Sequence, residues 1–141
     1  MKTAHQLPTI VRRKSPVHGY GVFADQAISK NTRIVDYAGE LVKNGKACDA
    51  RETRYLKEGC VWVFRINRAW SRDAFVGGNV ARFINHACEP NCWVDVVEKT
   101  KMIWIRASRT IYPGEELTYN YRIIGEKNTP CRCRPGCTTK I

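Results

Sequence analysis

The sequence predicts a fold made mostly of β-strands, which are joined by turns that contain glycine. Several segments of four to six residues are rich in β-branched and aromatic side chains, which favour strands. Only one segment has the composition of a helix. The 141 residues are enough for one domain with one core, so we predict a single domain over residues 1–141.

The predicted elements follow one another closely along the chain. In the first half we expect strands at residues 10–13, 21–24, 33–37 and 61–66. A helix is predicted for residues 46–58, because good helix formers dominate there between Gly45 and Gly59. In the second half, residues 93–97 and 102–106 flank a polar turn, which is typical of a hairpin.

The chain is basic, with 24 Lys and Arg against 13 Asp and Glu and a net charge of +11. Such a charge would hold the protein near polyanions, so a nonspecific contact with DNA is one expectation, and a merely solvated basic surface is the other. No segment is apolar enough for a membrane span, and the first residues lack the features of a secretory signal. We therefore expect an intracellular protein without membrane contact.

Two short segments combine glycine with an aromatic residue. Gly19 and Gly21 flank Tyr20 just before a predicted strand, so the backbone can turn sharply there and approach a ligand closely. A purely structural turn is the alternative. In the second segment Tyr37 ends a predicted strand, and Gly39 follows two residues later, where the chain or a ligand can come close.

Two further segments hold most of the side chains that could carry chemistry. Residues 77–92 combine basic, amide, imidazole and thiol groups between two predicted strands: Arg82, Asn85, His86, Cys88 and Asn91. This mixture is too polar for a core and predicts a functional loop. In residues 113–121, Tyr119 and Tyr121 point to one face of a strand, where they form either part of an aromatic pocket or part of the core.

Together these four segments resemble the SET-domain family of protein lysine methyltransferases. The signature elements of the family occur in family order at residues 19–21, 37–40, 82–91 and 114–121. The resemblance implies a β-clip fold of several small sheets with short helices, and a pseudoknot in which the last two segments pass beside and through one another. It also implies a catalytic core over residues 8–124 and a short tail at 125–141.

The resemblance implies transfer of a methyl group from S-adenosylmethionine to a lysine side chain, in a histone or a histone-like protein. Three tyrosines match the lysine channel and the methyl-transfer point: Tyr37, Tyr119 and Tyr121. Seven residues match the cofactor pocket: Gly19, Tyr20, Gly21, Arg82, Phe83, Asn85 and His86. The protein would act in the cytoplasm of a bacterium, or in the nucleus or on the chromosome if it acts on eukaryotic chromatin, where its basic surface could contact nucleosomes.

Aromatic side chains suit this chemistry because the reacting amine must be uncharged. A free lysine has a pKa near 10.4, so neutralising it at pH 7 costs about 4.6 kcal/mol. An aromatic channel lowers this cost by desolvating the ammonium. Whether a tyrosine or a water accepts the proton stays open.

At residue 119 the family carries Phe or Tyr, and the hydroxyl of Tyr119 would leave less room for a methylated amine, so we predict mainly monomethylation.

Seven cysteines are an odd number, which suits metal ligation better than a disulfide framework. The resemblance implies one structural zinc ion held by four thiolates: Cys88, Cys131, Cys133 and Cys137. The spacing of the last three is one residue shorter than the usual family pattern. Cys92 is therefore an alternative ligand, and a tail without metal is the competing expectation.

Two other functions stay open. One is a catalytically silent SET-like module that binds a peptide or a nucleic acid, which the net charge and the four tryptophans would suit. The other is a methyltransferase for a protein that is not a histone, because a basic enzyme is an awkward partner for basic histone tails.

Overall fold

The computed structural model describes residues 6–16 and 19–121. Short strands dominate this part of the chain, together with one α-helix and one 3₁₀-helix. In chain order the elements are β1 (Ile10–Lys14), β2 (Tyr20–Ala24), β3 (Arg33–Asp36), β4 (Glu40–Lys43), α1 (Lys46–Lys57), β5 (Val63–Arg65), β6 (Trp70–Asp73), the 3₁₀-helix Val80–Phe83, β7 (Asn85–His86), β8 (Cys92–Val97), β9 (Met102–Ala107) and β10 (Thr118–Tyr119). The mostly β prediction is confirmed.

The strands form small sheets, as the fold prediction requires. Two sheets have two strands each, β1-β2 and β7-β10, and two have three strands each, in the orders β3-β9-β8 and β4-β6-β5. The β7-β10 pair is parallel, with Asn85 opposite Thr118 and His86 opposite Tyr119. The predicted pseudoknot places these two segments side by side, and this pairing does so.

The described residues fall into two compact units. The first contains the described residues of Met1–Val35, Phe83–Val94 and Ile105–Ile141. Its interior is aliphatic and is formed mainly by fully buried side chains from β2, β3, β9, the β2–β3 connection and the segments before β7 and β10: Val22, Ile28, Ile34, Ile84, Ile105, Ile111 and Leu117. Burial of several such side chains, each contributing about 1.5–3 kcal/mol, holds the segments that carry the predicted site.

The second unit contains Asp36–Arg82 and Asp95–Trp104. In it, α1 is attached to β6 through the carboxylate of Asp73, which is fully buried. That carboxylate accepts hydrogen bonds from the Tyr55 hydroxyl at 2.7 Å and from an Arg51 N–H at 3.1 Å. Burial and the hydrogen bond to Asp73 raise the pKa of Tyr55 to about 12. A buried carboxylate is tolerated only with such partners, so this cluster fixes the helix.

The local predictions hold except at polar strands. The helix prediction is confirmed to within one residue, and β8 and β9 are neighbours joined by the polar turn, as the predicted hairpin requires. The sequence indicated neither Glu40–Lys43 nor Trp70–Asp73 as strands, because two of the four residues in the first and three of the four in the second are polar. They form because β6 lies between β4 and β5 and pairs with both. Within the described residues, no helix has the length and apolar character needed to cross a membrane.

Candidate functional site

The glycine turn of the first unit is tight and open to solvent. Gly19 has a φ of 49°, in the left-handed region that favours glycine, and among the described residues a Cβ atom there would meet nothing within 4 Å. Gly21 is glycine for another reason, since a Cβ atom on it would overlap the carboxylate of Glu116. The turn therefore combines free space on one side with close packing on the other.

Glu116 connects three segments of the predicted site. Its carboxylate accepts hydrogen bonds from the Ser15 hydroxyl at 2.8 Å and from the Asn85 side-chain amide at 2.9 Å. The same Asn85 nitrogen also donates to the carbonyl oxygen of Tyr20 at 3.0 Å. Glu116 lies within the segment 114–121 but was not predicted as a site residue, because only the fold brings it to Ser15 and Asn85.

β7 and β10 bring His86 together with both tyrosines of the last segment. The Tyr121 backbone N–H donates to Nδ1 of His86 at 3.0 Å, and the two rings lie edge to face with centroids 5.3 Å apart. The Tyr119 and Tyr121 ring centroids are 4.9 Å apart, so the two rings do lie together, although β10 ends at Tyr119 and Tyr121 follows the strand. The Tyr121 hydroxyl donates to the carbonyl oxygen of Ile84 at 2.6 Å.

The electrostatics of this cluster favour neutral side chains. Burial raises the pKa of Tyr121, and the negative charge of Glu116 raises it further. Burial also lowers the pKa of His86. Because Nδ1 of His86 accepts a hydrogen bond, the proton of the neutral ring lies on Nε2, which is 3.6 Å from the sulfur of Cys88.

Asn91 fixes the backbone just before the two tyrosines. Its side chain is 5% exposed, its Oδ1 accepts from the Thr118 N–H at 2.9 Å, and its Nδ2 donates to the Glu116 carbonyl at 2.9 Å. One amide group thus replaces two backbone hydrogen bonds of a strand pair. Asn91 was predicted as part of the polar loop, and its structural role was not predicted.

In the second unit, two predicted site residues share Trp62. The Tyr37 side chain is buried, and its hydroxyl donates to the Trp62 carbonyl at 2.7 Å. The Arg82 guanidinium lies over the Trp62 ring, 5.3 Å from its centroid, and donates to the Ala74 carbonyl at 3.3 Å. Trp62 was not among the predicted site residues, although it lies in a predicted strand.

The cysteines give a partial picture of the predicted zinc site. Cys131, Cys133 and Cys137 lie outside the described residues, and within the described ranges no group of three His, Cys, Asp or Glu is placed to hold a metal ion. Cys88 is partly exposed. Burial raises the pKa of Cys92 to about 12, which favours the thiol form.

Comparisons with known proteins agree with this geometry. The family described as SET domain matches residues 19–122. The chain is 42% identical over 132 residues to a Yarrowia lipolytica protein named histone-lysine N-methyltransferase, H3 lysine-4 specific, covering 88% of this chain and 11% of that protein. It is 41% identical over 130 residues to the Dictyostelium discoideum histone-lysine N-methyltransferase set1, covering 88% of this chain and 9% of that protein. The chain thus spans about a tenth of the length of these relatives.

A solved structure has the same fold. It is the Chaetomium thermophilum Polycomb Repressive Complex 2 in an autoinhibited conformation bound to S-adenosylmethionine, with a TM-score of 0.72 and 30% identity. The match covers 83% of this chain and 15% of that chain.

Proposed function

Because this chain belongs to the SET-domain family, we propose that it transfers a methyl group from S-adenosylmethionine to the side-chain amine of a lysine in a histone or a histone-like protein. Two adjacent residues of β7 carry the proposal. Asn85 binds the Tyr20 carbonyl of the glycine turn, and His86 binds the backbone of Tyr121. One two-residue strand thus ties the proposed cofactor turn to the proposed methyl-transfer point.

The glycine turn fits a cofactor that binds to backbone groups. No described residue fills the space beside Gly19, and the Tyr20 side chain is 48% exposed, so both can contact a ligand. Phe83 lies against Tyr20, with ring centroids 6.2 Å apart, and would supply further aromatic surface. When bound, S-adenosylmethionine supplies an activated methyl group with a good leaving group, so the main task of the protein is to position the amine.

We assign Tyr121 an orienting role and not that of a base. Its raised pKa keeps the phenol protonated, and its proton is already donated to the Ile84 carbonyl. The oxygen keeps lone pairs that can accept a hydrogen bond from the substrate amine. The proton that the ammonium must lose would then pass to water, and desolvation by Tyr119 would favour that loss.

We also propose that the Tyr119 hydroxyl limits the reaction mainly to monomethylation. Its side chain is 4% exposed and its ring lies against Tyr121, so its hydroxyl would take up space in a narrow channel. Mass spectrometry of a methylated peptide tests this. We expect one methyl group from the wild type and more from Tyr119→Phe, and rapid trimethylation by the wild type would exclude the proposal.

We also propose that the tail at 125–141 binds one structural zinc ion. Cys88 would supply one thiolate, and Cys131, Cys133 and Cys137 would supply the others, which is the donor set of a closed zinc site. The test is the metal content of purified protein, measured by elemental analysis. We expect one zinc per chain, retention in Cys60→Ser, and loss in Cys88→Ser, and a wild type without zinc would contradict the proposal.

Labelled S-adenosylmethionine tests the function itself. The protein is incubated with histones, nucleosomes and a cell lysate, alongside Tyr121→Phe and the matched control Tyr112→Phe, which removes a phenol from an exposed position. We expect labelled histone with the wild type and Tyr112→Phe, and little label with Tyr121→Phe. Label only in other lysate proteins would indicate a different substrate, and no label with intact cofactor binding would indicate a silent binding module.

The proposed substrate also bears on location. Methylation of a histone would place the activity on chromatin, in the nucleus if the host is eukaryotic. The net charge of +11 would favour contact with nucleosomal DNA there.

A further inference from the structure

The side chain of Arg12 lies between two aromatic rings at the glycine turn. Its guanidinium carbon is 4.7 Å from the centroid of the Tyr20 ring and 4.9 Å from that of the Phe83 ring. The β1-β2 register explains this contact. Arg12 pairs with Val22, so Tyr20 is its diagonal neighbour, which a long side chain can reach.

The backbone and the ring of Tyr20 are held in different ways. Asn85 fixes its carbonyl oxygen, whereas its ring is half exposed and touches Phe83 only edge to face. Arg12 covers both rings at once. A planar guanidinium can stack on aromatic faces, and a lysine ammonium would give a weaker and less directional contact.

We propose that Arg12 is a positioning residue for the cofactor: by holding the Tyr20 ring against Phe83, it keeps the turn at residues 19–21 in the conformation that binds S-adenosylmethionine. The inference rests on the proposed function. Arg12 lies in β1, outside all four motifs that carry the family resemblance.

Calorimetric titration with S-adenosylmethionine tests the proposal without any substrate. We expect Arg12→Met to weaken binding about fivefold, which is about 1 kcal/mol and the size of one exposed cation–π contact. Arg12→Lys should lie between Arg12→Met and the wild type. Arg13→Met is the matched control, because it removes the same charge from the next residue, whose guanidinium lies over Phe23 instead. It should bind as the wild type does.

The same change made in a Tyr20→Ala variant shows whether Arg12 acts through Tyr20. In Tyr20→Ala, the further change Arg12→Met should leave the affinity unchanged within a factor of two. An equal loss in both backgrounds, or no loss in the wild-type background, would overturn the proposal. In steady-state assays the KM for S-adenosylmethionine should rise while kcat stays within a factor of two. A wild type that does not bind S-adenosylmethionine would refute the proposed function itself, and wild-type affinity in Arg12→Met would refute only the role of Arg12.

Discussion

Replacing Asn91 by alanine should destabilise the fold by removing one buried amide. The change takes away the acceptor of the Thr118 N–H and the donor to the Glu116 carbonyl, both at 2.9 Å. A buried polar group left unpaired costs about 1–3 kcal/mol, so two such groups set a range of about 2–6 kcal/mol. Thr118 and Glu116 are only half-buried and water can pair with them in part, so we expect a loss of about 2–3 kcal/mol.

Urea unfolding followed by tryptophan fluorescence measures this loss. Glu89→Ala is the matched control, because Glu89 is an exposed residue of the same loop, and it should change the free energy of unfolding by about 0.5 kcal/mol or less. Asn91→Asp keeps the shape but turns the donor to the Glu116 carbonyl into an acceptor, so it should destabilise at least as much as alanine. If Asn91→Ala is as stable as Glu89→Ala, then Asn91 does not hold the strand that carries the tyrosines.

Three further predictions concern both units. Gly21→Ala should displace the Glu116 carboxylate and weaken S-adenosylmethionine binding, measured by calorimetry, by about tenfold, and unchanged affinity would contradict the packing argument. The pKa of Tyr55 is raised to about 12, so its phenol stabilises the fold fully below pH 10, and this contribution is lost as the pH rises towards 12. Urea titrations should show a smaller alkaline loss in Tyr55→Phe, which lacks the bond to Asp73, and an equal loss would refute this. Because burial raises the pKa of Cys92 to about 12, a thiol reagent at pH 8 should modify it only after unfolding, as peptide mapping can show.

Some contacts of the site could be predicted from the residue types and their spacing along the chain. Tyr119 and Tyr121 alternate along the chain, and their rings do lie side by side. Asn85 and His86 were predicted to act together with the glycine turn, and Asn85 does bond to the Tyr20 carbonyl. The tyrosine pair follows from the two-residue alternation of side chains, whereas the link between Asn85 and the glycine turn follows from the family resemblance.

The site residues that were not predicted make contacts between segments that are far apart in the sequence. Glu116 and Ser15 are 101 residues apart in sequence, and Asn91 and Thr118 are 27 apart. No local pattern indicates such pairs. The parallel pairing of β7 with β10 is likewise a long-range contact between two strands of only two residues each. The strands β4 and β6 were missed because half or more of the residues in each are polar, and pairing with their neighbours stabilises them.

Single-turnover methyl transfer tests the account most directly. The wild type and Tyr121→Phe are preloaded with labelled S-adenosylmethionine, mixed with excess histone, and followed by the label in protein, with cofactor affinity measured separately. We predict that Tyr121→Phe binds the cofactor within about threefold of the wild type, and that its transfer rate falls about 100-fold. Equal transfer rates in the two proteins, or no transfer by a wild type that binds the cofactor, would contradict the central claim.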